Sequence, residues 1–231
     1  MITHHPTADY LAAFSAGTLS LSQAICVSAH TEHCSQCRSE VKRLNQVGSE
    51  LLDQLKPSKV PESLKQSVMD AIELSDCARH RTDTQALDTA FPSVTQETRE
   101  IPKCLQTLVP NGFSALGWKR LSPSIHAAKL CSDVNGSKIE MIKIQPGGQV
   151  ASHNHTGEEI TLVLSGSFSD NAGNYQPGDI IFRNKNDKYH RPIASQDGEC
   201  ICLTAVEAPI QFTGFFARLF NPLIRRSHYA S

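Results

Sequence analysis

No apolar run in the 231-residue chain approaches the ~20 residues that a membrane-crossing helix needs. The opening residues, Met1-Ile2-Thr3-His4-His5, lack the cationic stretch and apolar core of an export signal, so the expected location is cytoplasmic. An excess of one charge is also missing. Lys and Arg number 22 against 23 Asp and Glu, a formal net charge of -1, which gives nucleic acid no attracting field. Eight cysteines are too few for a disulfide scaffold, and in a chain without an export signal closely spaced cysteines point to metal or redox chemistry. Neither an internal repeat nor a low-complexity tract is present. At about 100–200 residues per domain, the length allows one large domain or two small ones.

What is there begins with helices over residues 1–75. Thr7 can cap a first helix with Tyr10, Leu11 and Phe14 on one face and Gly17 as its stop. Ser20 and Gln23 form a capping box for a second helix carrying Leu21, Ala24, Ile25 and Ser28. A third runs from about Cys34 with an apolar stripe of Val41, Leu44, Val47, Leu51, Leu52 and Leu55. Beyond Pro57 and Pro61, Glu62 to Leu74 reads as a fourth, with Leu64, Val68 and Ile72 on one side. So small a helical unit buries little surface and needs a metal or a partner. Residues 76–100 lose apolar periodicity and read as a polar linker.

From Ile101 onward the signals turn to β. Short runs at Ile139 to Ile144, Ile160 to Leu164, Ile180 to Phe182 and Ile201 to Val206 are separated by Gly147-Gly148, Gly166, Asn171 to Asn174, Pro177-Gly178 and Asp197-Gly198. This spacing predicts a sandwich or barrel over residues 101–231, with a short amphipathic helix at Phe215 to Leu223. The chain is thus expected to be an α+β protein of two domains.

Two clusters carry metal chemistry. His30, Cys34 and Cys37 stand at H-x3-C-x2-C, spacings of four and three that share a helix face. Two thiolates and neutral imidazoles suit zinc in a closed tetrahedral, structural site. A fourth ligand is missing from the cluster itself; the candidates are His4, His5 and His33, and a terminal histidine is preferred because His33 would face away from the stripe. The second cluster is Gly147-x5-His153-Asn154-His155-x3-Glu159-x6-Gly166, with His190 downstream. On a strand His153, His155 and Glu159 share parity, and three imidazoles plus a carboxylate suit Zn, Mn, Fe, Ni or Cu with positions left open. Cys200-Ile201-Cys202 puts two thiols on one strand face, in a geometry unsuited to a relaxed disulfide.

The glycine-flanked H-x-H-x3-E stretch resembles the first motif of the cupins, and Pro177-Gly178 with His190 resembles the second, although its spacing is stretched. That resemblance implies a double-stranded β-helix barrel with His153, His155, Glu159 and His190 converging inside it. With His4-His5, Ala16 to Ser20, His30-x3-Cys34-x2-Cys37 and Cys200-Ile201-Cys202-Leu203, nearly the whole chain resembles the ChrR-type anti-sigma factors. In these a zinc-binding anti-sigma domain precedes a cupin domain. The resemblance implies His5, His30, Cys34 and Cys37 as zinc ligands, and a barrel metal that is Zn2+ or Mn, Fe or Ni. It also implies that the helical domain sequesters an extracytoplasmic-function sigma factor, one per chain. The barrel would then trigger release on an oxidative signal such as singlet oxygen, without being an enzyme. The competing expectation is a metal-dependent cupin dioxygenase or isomerase whose helical unit only oligomerises.

Overall fold

The computed structural model describes residues 1–61, 63–83, 101–133, 136–187, 189–214, 217–222 and 225–226. Four helices open the chain: α1 (Ala8–Ser15), α2 (Leu21–His33), α3 (Ser35–Asp53) and α4 (Ser63–Asp83). The local signals act as expected. Thr7 Oγ1 accepts from Tyr10 N, and Ser20 and Gln23 form both halves of a capping box. Gly17 follows α1 with a φ of 67°, a left-handed conformation that glycine adopts without penalty. Helix α4 runs to Asp83, past the Asp76 at which the linker was expected to begin. The remainder of that segment, 84–100, lies outside the described residues.

Among the described residues eleven strands follow: β1 (Lys119–Ser122), β2 (Ile125–Ser132), β3 (Lys138–Ile144), β4 (His153–Asn154), β5 (Glu159–Ser165), β6 (Phe168–Asp170), β7 (Gly173–Tyr175), β8 (Ile180–Arg183), β9 (Ile193–Ala194), β10 (Cys200–Val206) and β11 (Gln211–Phe212). They form a six-stranded sheet in the order β1-β2-β3-β10-β5-β8, a three-stranded sheet β7-β6-β9 and a pair β11-β4. Strands β1 and β2 were not anticipated, since β1 has one apolar residue and the apolar residues of β2 neither alternate nor form a continuous run. Of the expected C-terminal helix, a 3-10 turn at Ala217–Phe220 followed by helical residues 221 and 222 is found, while 215, 216 and 223 lie outside the described residues.

The period of two along the large sheet divides its side chains between two cores. Ile144, Val163, Ile181, Cys200 and Cys202 point into the barrel with Phe168, Tyr175 and Ala194 from the smaller sheet. Ile139, Met141, Ile160, Leu162, Ile180, Ile201, Leu203 and Ala205 take the opposite face. Onto that outer face packs α2, through Cys26, Val27 and Ala29, all wholly buried, together with Leu105 and Val109. The central strand β10 is therefore covered on both sides, which is why its sequence is apolar at every position but Thr204 rather than alternating. Each fully buried Val, Leu or Ile contributes about 1.5–3 kcal/mol, so this shared core is a substantial link between the helical unit and the barrel. Polar contacts flank it: Tyr10 Oη donates to Glu158 at 2.8 Å, and Glu32 accepts from the amides of Lys103 and Cys104 at 2.7 and 3.0 Å.

Away from the barrel, α3 and α4 leave apolar residues uncovered. Val47, Leu51, Leu52 and Leu55 on α3 and its end, then Leu64, Val68 and Ile72 on α4, are 45–66 % exposed. Their spacing of three to four residues makes two exposed apolar helical stripes.

Candidate metal centres

The first cluster assembles at the junction of α2 and α3. His30 lies in the last turn of α2, Cys34 caps α3 and Cys37 sits in the first turn of α3. The cap places Cys34 Sγ to accept from Cys37 N at 3.4 Å, fixing one thiol over the other. His5 completes the set: its Nδ1 is 3.4 Å from both Cys34 Sγ and Cys37 Sγ, and the four ligand atoms lie within 4.8 Å of one another. In a tetrahedron with ~2.0–2.3 Å bonds, neighbouring ligands sit about 3.3–3.8 Å apart, so the spacing suits zinc. His4 goes elsewhere. Its backbone pairs with the barrel, and its ring lies 4.7 Å from that of Tyr175, so the extended chain turns His5 to the opposite side. His33 is not in the cluster, as its helical position required.

Two features of this cluster ask for a cation. His30 Nδ1 lies 2.7 Å from the carbonyl oxygen of Gly178, which can only accept, so Nδ1 carries the proton and Nε2 keeps its lone pair. That Nε2 is buried with no partner. Burial, with the adjacent Cys34 thiol, pushes Cys37 up to about 12, because a second thiolate here is unfavourable without a positive ion.

The second cluster closes the open end of the barrel, where β4 meets the segment before β9. His153 and His190 form an isolated bridge, with Tyr189 held at a φ of 60° and its amide donating to Asn154 Oδ1 at 2.9 Å. This strained residue aims His190 inward. His153, His155 and His190 then offer nitrogens within 4.8 Å of one another. Every Nδ1 is already engaged: His153 by Ala151 O at 2.9 Å, His155 by Glu159 Oε2 at 3.4 Å, His190 by Asp170 Oδ2 at 3.3 Å. His153 Nε2 and His190 Nε2 therefore face each other at 2.7 Å, lone pair to lone pair, and His155 Nε2 is buried without a partner. Three imidazoles, each oriented by an oxygen on its far side and converging their Nε2 atoms, fit a divalent metal.

The electrostatics agree. Burial opposes ionisation of Glu159, but the His155 contact and the neighbouring imidazoles outweigh it and hold the carboxyl at about 2. Burial, then the charges of His153 and His155, brings His190 down to about 4, so the ring is neutral at pH 7 and ready to ligate. Glu159 belongs to the site but stands behind His155, with Oε1 accepting from Thr161 Oγ1 at 3.1 Å, rather than among the converging nitrogens.

Sequence reasoning missed Asp170. It accepts from Arg183 Nη2 at 2.9 Å and Tyr175 Oη at 3.1 Å besides His190, and its position in a D-N-A-G hairpin reads only as a turn. Loss of such an orienting carboxylate typically costs 10–100-fold in metal affinity. Asp170→Asn is therefore expected to weaken barrel metal binding by about that factor, measured by chelator competition, while leaving the helical cluster loaded. Cys200 and Cys202 face the barrel interior with their sulfurs 3.6 Å apart. The Cys200 contact and burial together raise Cys202 well above the usual thiol range.

Residues 111–208 match the ChrR cupin-like domain family. Over 97 % of this chain, and 99 % of the other, the sequence is 31 % identical to the anti-sigma-E factor ChrR of Cereibacter sphaeroides. The fold is similar to the crystal structure of Rhodobacter sphaeroides SigE in complex with the anti-sigma ChrR, with a TM-score of 0.72 and 29 % identity over 89 % of this chain and 99 % of that one. An RmlC-like cupin protein of Ralstonia eutropha aligns with 45 % of this chain and 71 % of its own, at 16 % identity and a TM-score of 0.37. No described helix is long and apolar enough to cross a membrane. With identity of this level along almost its entire length, the chain belongs to the ChrR family of anti-sigma factors.

Proposed function

We infer that this protein sequesters an extracytoplasmic-function sigma factor through its helical unit, and that the barrel governs release. The observation that carries the reading is the pair of exposed apolar stripes, one on the C-terminal half of α3, whose first turn holds Cys37 of the cluster, and one on α4. An amphipathic face of this kind suits helix-in-groove capture of a protein partner. Support also comes from the relative of similar length, named as an anti-sigma factor and crystallised with SigE.

In this reading His5, His30, Cys34 and Cys37 hold a structural zinc, which leaves no open position for chemistry. His153, His155 and His190, with Glu159 as their carboxylate, hold a second ion, Zn2+ or Mn, Fe or Ni, in a site with room for an exchangeable ligand. The barrel then serves as a sensor of an oxidative signal such as singlet oxygen rather than as an enzyme. Residues 1–75 supply the clamp and 101–231 the sensor, both in the cytoplasm.

The test is co-expression with an extracytoplasmic-function sigma factor of the same genome. Copurification at one to one and repression of transcription in vitro are expected. A metal-loaded full chain that neither binds nor represses any such factor of its genome would show the reading to be wrong. A second outcome follows from the position of the thiol pair. Cys200→Ser with Cys202→Ser should leave sigma binding unchanged, since both residues are inside the barrel and remote from α3 and α4. The pair is expected to alter the rate of release after oxidant exposure, and an unaltered rate would assign it to packing alone.

A further inference from the structure

The barrel turn between β7 and β8 reaches the helical metal cluster directly. Its carbonyl at Gly178 takes the Nδ1 proton of His30 at 2.7 Å. Its next residue, Asp179, is wholly buried, and one of its oxygens accepts from the amides of Thr3 and His4 at 2.7 and 2.9 Å. The other oxygen accepts from Gln176 N at 2.8 Å, which keeps the turn closed. Ile180 N then donates to His4 O at 3.2 Å. The segment that Asp179 grips thus ends one residue before His5. Two of the four N/S ligands are positioned by one turn of the other domain: His30 by Gly178, and His5 by Asp179 through Thr3 and His4.

The same turn leads back to the other cluster. Tyr175 enters it, with its ring against His4 and its hydroxyl donating to Asp170, and Asp170 accepts from His190 Nδ1. Gly178 has a φ of 92°, and a β-carbon there would stand 2.6 Å from Ile2 Cδ1, so the turn lies close against the N-terminal segment.

We propose that Gln176–Asp179 is an integral outer shell of the helical metal site, so that the barrel sets how tightly His5, His30, Cys34 and Cys37 hold their ion. This rests on the reading of that cluster as a metal site. Outer-shell partners of metal-bound histidines are worth 10–100-fold in affinity, and here they are contributed by the domain that carries the second cluster. Asp179 is a positioning residue in this scheme and touches no ligand atom itself.

Cobalt(II) is the probe, because thiolate-to-cobalt charge transfer reports on the Cys34/Cys37 site. The full chain, loaded with Co2+, is titrated with a chelator while that absorption is followed. Wild type should show the band and Cys37→Ser should lack it; a wild type without the band would refute the metal-site reading itself. With the band present, Asp179→Ala should release cobalt at about 10–100-fold lower chelator strength. Asp179→Asn keeps one acceptor oxygen and the shape of the side chain, so it guards against a variant that misfolds; it should lose affinity about five-fold. Asp197→Ala, in an exposed turn remote from the cluster, is the control and should match wild type. Folded Asp179 variants with cobalt affinity within about two-fold of wild type would overturn the proposal and leave the metal site standing.

Discussion

Cys34→Ala or Cys37→Ala is expected to abolish both metal retention and capture of the sigma factor. Cys34 does two jobs: its sulfur is a candidate ligand, and the same sulfur caps α3 by accepting from Cys37 N. Alanine there removes a helix cap, worth about 1 kcal/mol, and one of four ligands together. The ligand loss dominates, since structural zinc in small domains carries apparent binding energies of about 10–16 kcal/mol that are also folding energy. Without the ion, His5 loses its direct tie to the α2–α3 corner, and only the packing of α1 on α3 and contacts with the barrel hold the N-terminal segment there. The start of α3 would then be less firmly fixed, and with it the position of the stripe of Val47, Leu51 and Leu55. Metal content by atomic emission and sigma binding by copurification should fall together. A metal-free variant that still represses transcription fully would remove the structural role from the cluster.

Much of this arrangement was legible because local chemistry determined it. The caps at Thr7 and Ser20, the helical spacing of His30, Cys34 and Cys37, and the glycine-bounded strands β3, β5, β8 and β10 each depend on residues a few positions apart. What escaped depends on contacts across the chain. Asp170 and Asp179 read as turn residues, and only the closure of the barrel brings one to His190 and the other to the amides of Thr3 and His4. The choice between His4 and His5 was likewise open until the pairing of His4 with Ile180 gave the extended segment its parity. A polar linker between 76 and 100 suggested two independent modules. That linker has a helix over its first part, and α2 shares a core with the outer face of the large sheet, a surface that no pattern in the first 75 residues declares.

That shared core sharpens the last expectation, which separates clamping from sensing. A fragment of residues 1–85, zinc-loaded, should still bind the sigma factor, because the uncovered stripes of α3 and α4 and the four N/S ligands all lie within it. It should be less stable than the full chain, since Cys26, Val27 and Ala29 lose their cover, and Gly178 and Asp179 are gone. His153→Ala with His155→Ala in the full chain tests the other half. Both side chains point into the barrel, away from α2, so inhibition should remain at the wild-type level. Release is different: a signal can only free the partner if it changes the relative free energies of the bound and open states, and that requires contact between sensor and clamp. The contact exists in the α2 packing and in the Gly178–His30 bond, so disabling the barrel cluster should blunt release by oxidant by about ten-fold or more, a coupling of at least 1.4 kcal/mol. Transcription from a sigma-dependent promoter, followed before and after oxidant, reads both halves at once. Normal release from the double variant would remove the barrel histidines from sensing, and a folded, zinc-loaded fragment that fails to bind would place part of the clamp in the barrel itself.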